Sequence, residues 1–203
     1  MEVNITQNKT YRYQISCKGK NPTTLLYVLH GYGQLAKYFI QKFNHLQNII
    51  VVAPEGGHRF YLKGTGGRVG ASWMTKEARE TDISDNINYL DSLDVQLSKK
   101  FSIDKKILIG FSQGGATAIR WRNQSAINFD SLIIWASDYP KDSIIKKGND
   151  YFIIGDKDEF IHSEIKVQMI KDYESKGFKI CSYIGMHDID KETLNDLLKT
   201  IGN

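Results

Sequence analysis

Four turns of this sequence carry residue types that act together in nucleophilic catalysis, and each turn follows a short apolar run. The turns are His30-Gly31-Tyr32-Gly33, Gly110-Phe111-Ser112-Gln113-Gly114, Gly155-Asp156-Lys157-Asp158 and Gly185-Met186-His187. A serine hydroxyl is a weak nucleophile at neutral pH, so it needs a base, and the base needs an acid that orients it. The residue types and their order therefore predict a serine, a histidine and a carboxylate working as one group.

Ser112 is the predicted nucleophile because it lies between glycines at the end of an apolar run. Gly110-x-Ser112-x-Gly114 has the form of a nucleophile elbow, a sharp turn between a strand and a helix. Such a turn crowds the backbone beside the serine, so the flanking residues must be small. The helix that follows would add positive potential at its N-terminus. The alternative is an ordinary glycine-rich turn, but the position between an apolar run and helix-forming residues favours the elbow.

His187 is the predicted base among five histidines. The five are His30, His45, His58, His162 and His187. Only His187 follows the last apolar run, where a loop can return over the end of a sheet. His30 is expected to hold its own turn by hydrogen bonds, and the other three are expected at solvated positions.

The acid is expected after Gly155, where Asp156, Asp158 and Glu159 lie close together along the chain. Asp158 is the first choice, because a few residues of loop allow its carboxylate to turn toward His187. Asp156 is the near alternative and would otherwise cap the turn, while Asp138 is a more distant candidate. The order Ser112, Asp158, His187 is the chain order of the α/β-hydrolases.

Two backbone N–H groups are expected to stabilise the oxyanion of the reaction. One belongs to Gln113, directly after the serine, and the other is expected from Tyr32 in the His-Gly turn. Loss of one such donor typically lowers the rate about 100- to 1,000-fold. Gly31 and Gly33 let the backbone approach the reacting atoms.

Short apolar runs predict the strands that position these residues, and the amphipathic patterns between the runs predict the helices. Strands are predicted at 11–16, 25–29, 49–53, 107–109, 132–136, 151–154 and 179–184. Helices are predicted at 75–99, 113–123, 160–175 and 190–201. Continuous apolar strands alternating with helices indicate an α/β fold with a mostly parallel sheet, whose ligands bind at the carboxyl ends of the strands. We expect one domain over residues 1–203.

The segment 55–72 is predicted as a long loop, because it is rich in glycine and has no apolar period. It is a candidate flap over the site. Four side chains within this segment or directly after it are candidates to line a substrate pocket: Phe60, Tyr61, Trp73 and Met74.

Composition excludes several classes of function. Net charge is +4 and is spread along the chain, which argues against nucleic acid as the main partner. No apolar run approaches the roughly 20 residues of a membrane span. The start of the chain does not resemble a secretory signal, and only Cys17 and Cys181 are present, so we expect buried free thiols and a cytoplasmic protein.

Cofactor motifs are also missing. The glycine-rich run 64–70 lacks the Lys-Ser/Thr ending of a phosphate loop and the glycine spacing of a dinucleotide site. No histidine or cysteine pattern indicates zinc. We therefore expect no cofactor and no metal.

The sequence resembles the phospholipase/carboxylesterase family of α/β-hydrolases, which includes acyl-protein thioesterases. The likeness lies in LHGYG (29–33), APEG (53–56), GFSQGG (110–115), GDKDEFI (155–161) and the late His187. The resemblance implies an α/β-hydrolase fold with helices on both faces of the sheet, no separate cap domain and no cofactor. It also implies Asp158 as the acid and the N–H groups of Tyr32 and Gln113 as oxyanion donors.

Three departures from the family pattern surround the predicted pocket. They are Gln34 in place of an aspartate, Met186 in place of a glycine before the histidine, and Ser72-Trp73-Met74-Thr75 in place of an aromatic step. The resemblance implies a serine hydrolase that acts on small-molecule acyl esters or thioesters. A small peptidase or amidase using the same residues, and a non-catalytic binding protein with this fold, stay as alternatives.

Overall fold

The computed structural model describes residues 1, 3–144, 146 and 148–202, and the strands within these ranges form two sheets. The strands are β1 (Tyr13–Lys18), β2 (Thr24–Leu29), β3 (Ile49–Pro54), β4 (His58–Lys63), β5 (Gly66–Ser72), β6 (Lys105–Phe111), β7 (Ser131–Trp135), β8 (Tyr151–Gly155) and β9 (Lys179–Tyr183). Seven of them form the main sheet in the order β1-β3-β2-β6-β7-β8-β9, and β4 pairs with β5. All neighbours in the main sheet are parallel except β1 and β3.

Helices cover both faces of the main sheet, which confirms the predicted α/β layering. They are α1 (Ala36–Phe39), α2 (Arg79–Lys100), α3 (Gln113–Gln124), α4 (Ser163–Ser175) and α5 (Lys191–Gly202), with a 3-10 turn at Ile40–Phe43. One core lies between the sheet and α2, α3 and α4. A second core lies between the opposite face and α1, the 3-10 turn and α5. Both faces of the central strands are buried, which explains their continuous apolar sequence.

The predicted strands and helices are found with small shifts at their ends. The first strand was expected at 11–16 and runs from Tyr13 to Lys18, at the edge of the sheet. Helix α2 begins at Arg79 instead of residue 75, because Ala78 has a left-handed backbone conformation with φ 48°. Helix α4 begins at Ser163 instead of residue 160. The short α1 was not predicted.

The prediction of a long loop at 55–72 was wrong, because most of that segment is the hairpin of β4 and β5. Its strands have largely exposed faces, so the hairpin leaves no buried apolar pattern in the sequence. A hydrogen bond from Gly33 N–H to Ala71 O of 2.9 Å ties the base of this hairpin to the His30–Gly33 turn. Of the two free cysteines, Cys17 is exposed and only Cys181 is partly buried, so the expectation of buried thiols fails at Cys17.

Candidate active site

Ser112 lies between the end of β6 and the start of α3, in a backbone conformation that side chains rarely adopt. Its φ is 50° and its ψ is −124°. A non-glycine residue with positive φ costs on the order of 1–3 kcal/mol and is concentrated at functional sites. The turn is fixed by hydrogen bonds from Ser112 N–H to Trp135 O (2.9 Å) and from Gly115 N–H to Ser112 O (2.8 Å).

The glycines around Ser112 are required by close backbone contacts. A Cβ on Gly114 would lie 2.3 Å from the carbonyl oxygen of Leu29, and one on Gly110 would lie 2.5 Å from the Cα of Gly115. Both distances are too short for real atoms. The helix α3 can therefore pack against β2 and β6 only with glycine at these positions.

The imidazole of His187 is bonded to the carboxylate of Asp158. The atoms His187 Nδ1 and Asp158 Oδ2 are 2.6 Å apart. The Asp158 side chain has no exposed surface, and its other oxygen accepts a bond of 2.9 Å from Phe160 N–H. Such a partner fixes Nδ1 as the protonated nitrogen and leaves Nε2 free to accept a proton.

The other two acids beside Gly155 have different partners. Asp156 accepts a bond of 2.9 Å from Gly185 N–H, and Glu159 accepts one of 3.2 Å from His187 N–H. Both therefore hold the backbone of the histidine loop, and neither is bonded to the imidazole. Asp138 is exposed and follows β7.

The imidazole is also held by two aromatic rings. The ring centre of His187 lies 4.8 Å from that of Phe111 and 5.0 Å from that of Phe160. These contacts, with the bond to Asp158, leave the ring few orientations. Phe160 lies in the same segment as Asp158. One short stretch of chain therefore contacts the imidazole through both a carboxylate and an aromatic ring.

Ser112 and His187 line one cleft of about 680 Å³ at the carboxyl ends of the strands. Tyr32 and Gln113, the residues of the predicted oxyanion donors, line it as well. The remaining lining residues are Gly31, Gln34, Phe111, Ala116, Ala136, Ser137, Asp138, Phe160, Ile161, Ile165 and Met169. This volume lies within the range of small-molecule sites.

His30 fastens the turn that carries Tyr32. Its buried ring donates through Nδ1 to Gly31 O (2.8 Å), and its Nε2 accepts from Gly56 N–H (3.0 Å). Burial lowers the pKa of His30, which agrees with a neutral ring that accepts a hydrogen bond. Gln34 adds a further tie, because its side-chain oxygen accepts a bond of 2.9 Å from Gly31 N–H.

The side chain of Gln113 connects the Ser112 turn to the segment at the end of β5. Its Oε1 accepts from Trp73 N–H at 3.0 Å, and its Nε2 donates to Met74 O at 3.0 Å. Ser72 also bonds to the same amide. Both turns of the predicted oxyanion donors are thus attached to the 70–74 segment.

The four predicted pocket residues do not line the cleft. Trp73 is fully buried, and its ring stacks on His30 at 5.1 Å while its N–H bonds to His30 O. Met74 is buried beside Arg79 and Arg120. Phe60 and Tyr61 lie on β4, where the ring of Phe60 is 5.1 Å from that of Tyr32.

The apolar wall of the cleft comes instead from residues that the sequence did not indicate. Ile161, Ile165 and Met169 reach it from α4 and the loop before that helix, and Ala136 reaches it from the end of β7. Their spacing along α4 resembles that of any amphipathic helix. One feature of the sequence could have indicated these residues: the predicted helix begins shortly after Asp158, and α4 starts at Ser163.

The comparisons with known proteins support this assignment of the fold. The family model described as Phospholipase/Carboxylesterase matches residues 11–202. The chain belongs to the phospholipase/carboxylesterase family. It is therefore a hydrolase of the carboxylesterase type with an α/β-hydrolase fold. None of the curated proteins compared matches this chain.

Solved structures with this fold include several esterases. Esterase PE8 has a TM-score of 0.71 at 19% identity and covers 95% of this chain and 100% of its own. The carboxylesterase of Mesorhizobium loti has a TM-score of 0.74 at 13% identity, with 95% of each chain covered. Acyl-protein thioesterase 2 of Zea mays has a TM-score of 0.69 at 17% identity, with 94% and 97% covered.

Within the described ranges, no helix combines the length and the apolar character needed to cross a bilayer.

Proposed function

We propose that this protein is a serine carboxylic-ester hydrolase that cleaves acyl esters or thioesters with Ser112, His187 and Asp158. The observation that carries the proposal is the bond between His187 Nδ1 and Asp158 Oδ2, in a histidine that lines the same cleft as the strained Ser112. A buried acid, an oriented imidazole and a serine on a tight turn are the three parts that acyl transfer by serine requires.

The first half of the reaction forms an acyl-enzyme. Ser112 Oγ attacks the carbonyl carbon of the substrate while its proton passes to His187 Nε2, and Asp158 stabilises the imidazolium. The bond between the carbonyl carbon and the alcohol oxygen or thiol sulfur then breaks. The leaving group takes the proton from His187 Nε2.

The second half releases the acid by the same route in reverse. A water gives one proton to His187 Nε2 and attacks the carbonyl carbon of the acyl-enzyme. When the tetrahedral intermediate collapses, Ser112 Oγ recovers that proton. The net reaction consumes one water and needs no cofactor.

The backbone N–H groups of Tyr32 and Gln113 are proposed to bind the oxyanion. Gln113 is the first residue of α3, and N–H groups in the first turn of a helix have no partner within that helix. Tyr32 lies in the turn that His30 and Gln34 hold. Donors held in place before the reaction stabilise developing charge without reorganisation.

We further propose that residues 1–203 act as one α/β-hydrolase domain on a small-molecule substrate. Both cores extend along the same seven-stranded sheet. A family model that spans residues 11–202 supports one unit.

A substrate panel tests the proposed function. Purified wild-type protein and Ser112→Ala are assayed with p-nitrophenyl esters, acyl thioesters and aminoacyl amides. We expect ester and thioester hydrolysis by the wild type and a loss of at least about 1,000-fold in kcat for Ser112→Ala. Faster turnover of amides would favour a peptidase, and equal null activity of both proteins would favour a binding protein.

A further inference from the structure

Tyr183, the last residue of β9, holds the backbone on both sides of the candidate base. Its phenol oxygen lies 2.8 Å from Met186 O and 2.5 Å from Asp188 O, the carbonyl oxygens of the residues before and after His187. A phenol O–H donates and a carbonyl oxygen accepts, so the one proton of Tyr183 serves both carbonyls. The two neighbours of His187 are therefore attached to an edge strand of the main sheet.

The same phenol oxygen accepts a hydrogen bond from Trp135, the last residue of β7. The indole N–H of Trp135 lies 3.2 Å from it, and the two rings pack edge to face with their centres 5.6 Å apart. Burial raises the pKa of Tyr183 above its usual value of about 10, so the phenol keeps the proton that it donates. Tyr183 thus accepts from one side and donates on the other.

Trp135 is also bonded to the Ser112 turn, through its backbone. Its carbonyl oxygen accepts the bond of 2.9 Å from Ser112 N–H, and its side chain is fully buried. A continuous path therefore runs from Ser112 N–H through Trp135 and Tyr183 to the carbonyls beside His187. This path, the Trp135–Tyr183 link, joins the turn of the nucleophile to the loop of the base.

Two glycines make room for the Trp135–Tyr183 link. Gly155 lies on β8, which separates β7 from β9, and a Cβ there would lie 2.4 Å from Gly185 O and 2.8 Å from Met186 O. A Cβ on Gly185 would lie 2.5 Å from Cε2 of the Tyr183 ring. A side chain at either position would push the histidine loop or the ring away, so both must be glycine for the phenol to reach its carbonyls.

The acids after β8 hold the same loop from a different direction. Asp156 and Glu159 accept from the N–H groups of Gly185 and His187, whereas Tyr183 binds carbonyl groups. The loop is therefore fixed through its donors and through its acceptors. The acids attach it to the segment of Asp158, and the Trp135–Tyr183 link attaches it to the Ser112 turn.

We propose that Trp135 and Tyr183 are positioning residues that set the imidazole of His187 relative to the hydroxyl of Ser112. The inference rests on the proposed function and adds two residues to it, neither of which lines the cleft. Because His187 acts in both halves of the reaction, a displaced imidazole slows acylation and deacylation alike. A displacement of about 1 Å can lower a rate about 100-fold.

Tyr183→Phe tests the link, because it removes the phenol oxygen and keeps the ring. Tyr89→Phe is the matched control: the Tyr89 phenol also donates to a backbone carbonyl, Arg12 O at 2.9 Å, but Tyr89 lies on α2 and does not line the cleft. Stopped-flow measurements with p-nitrophenyl acetate give the rate constants of acylation and deacylation and the dissociation constant of the substrate. Urea denaturation establishes that each variant is folded under the assay conditions.

For Tyr183→Phe, we expect both rate constants to fall about 10- to 100-fold, because the loop of the base loses its attachment. The dissociation constant should change less than about threefold, because an interaction that acts only in the transition state leaves substrate binding unchanged. All three quantities of Tyr89→Phe should stay within about twofold of the wild type. A loss of folding alone would not separate rate from affinity in this way.

Trp135→Phe tests the other end of the link, because it removes the indole N–H and keeps an aromatic ring. If the two side chains act through one path, the double variant should be no more than about threefold slower than the slower single variant, whereas independent effects multiply. If Tyr183→Phe does not fold, Trp135→Phe alone should still lower both rate constants at least about threefold with the dissociation constant unchanged.

Three results would overturn the inference. They are rate constants of Tyr183→Phe within about twofold of the wild type, an equal decrease in Tyr89→Phe, and a change confined to the dissociation constant. Multiplied effects in the double variant would reject the coupling of Trp135 to Tyr183. A wild type without Ser112-dependent hydrolysis would reject the proposed function itself, whereas normal hydrolysis by the wild type and by Tyr183→Phe rejects only the link.

Discussion

Ser112 occupies a strained backbone conformation that the surrounding contacts maintain. Its neighbours Gly110 and Gly114 touch backbone atoms at distances that exclude any Cβ, and Trp135 O binds its N–H. Strain of this kind persists only where the surrounding structure determines the conformation. At the residue scale, these contacts hold Ser112 in a conformation in which it lines the cleft.

The residue types and their order along the chain indicated Ser112 and His187, which line the same cleft, and Asp158, which is bonded to His187. A Gly-x-Ser-x-Gly step after an apolar run indicated Ser112, and position after the last strand indicated His187. Asp158 is preferred to Asp156 because a few residues of loop allow its carboxylate to turn toward His187, and the resemblance to the family selects the same residue. The structure separates them, since only Asp158 is bonded to the imidazole.

Replacement of Asp158 by asparagine should impair catalysis far more than the same change at Asp156. Asp158→Asn removes the charge that stabilises the imidazolium and favours the wrong tautomer of His187, so kcat should fall about 1,000-fold or more. Asp156→Asn keeps an oxygen that accepts from Gly185 N–H, so its kcat should fall less than about tenfold. Steady-state kinetics with p-nitrophenyl acetate measures both, and a reversed order would exclude Asp158 as the orienting acid.

At the scale of elements, buried strands were the easiest to predict. The run Ile49–Ala53 differs from β3 by one residue, because strands buried on both faces require continuous apolar sequence. The hairpin at 58–72 was not predicted, because its strands are largely exposed. Its exposed faces and its glycines give neither alternation nor an apolar run.

The wall of the cleft could not be predicted from local sequence. Ile165 and Met169 lie on α4, while Ala136 follows β7, and only the packing of α4 over the sheet brings them together. The candidates at 60–61 and 73–74 lie within or directly after the glycine-rich segment 55–72 and do not line the cleft. Trp73 supports the turn through His30 instead.

The contact between α3 and β2 predicts a large cost for Gly114→Ala. The added methyl group would meet the backbone oxygens of Leu29 and His30 at 2.3 and 2.6 Å, so the helix must move. Overpacking of this kind costs about 1–3 kcal/mol of the free energy of unfolding. Urea denaturation measures the difference from the wild type.

Gly66→Ala is the matched control for that experiment. A Cβ at Gly66 meets no atom within 4 Å, so the free energy of unfolding should change by no more than about 0.5 kcal/mol. Equal stabilities of the two variants would show that α3 does not need the close approach to β2.

At the scale of the whole molecule, the buried His30 links stability to pH. Burial lowers its pKa in the folded protein, so the unfolded chain binds a proton more readily. The contribution of His30 to stability is complete above the unfolded pKa of about 6.5 and decreases as the pH falls toward the lowered folded value. The slope from this one group is at most about 1.4 kcal/mol per pH unit.

Urea denaturation between pH 8 and pH 5 measures this linkage. The free energy of unfolding of the wild type should decrease as the pH falls below about 6.5. His30→Gln should have lower stability at pH 8 and a shallower slope, because the titrating group is gone. Identical slopes in the two proteins would show that His30 is not the source of the pH dependence.

At the scale of the whole molecule, one edge of the main sheet brings together the segments that carry all the candidate site residues. The carboxyl ends of β2, β6, β8 and β9 are followed by the segments that carry Tyr32, Ser112, Asp158 and His187. The sheet order places β6 next to β2 and β7, so Ser112 lies between the His30–Gly33 turn and the cleft wall formed after β7 and β8. The arrangement supports a nucleophilic serine with its base on one side and its oxyanion donors on the other.

Covalent labelling of the folded protein tests the role of Ser112 most directly. The wild type is treated with a fluorophosphonate, and the adduct is located by peptide mass spectrometry. We expect one adduct per chain on Ser112, with loss of esterase activity in proportion to labelling, and no adduct with Ser112→Ala or after unfolding in urea. Folded wild-type protein that hydrolyses esters but carries no label on Ser112 would contradict the assignment of Ser112 as the nucleophile.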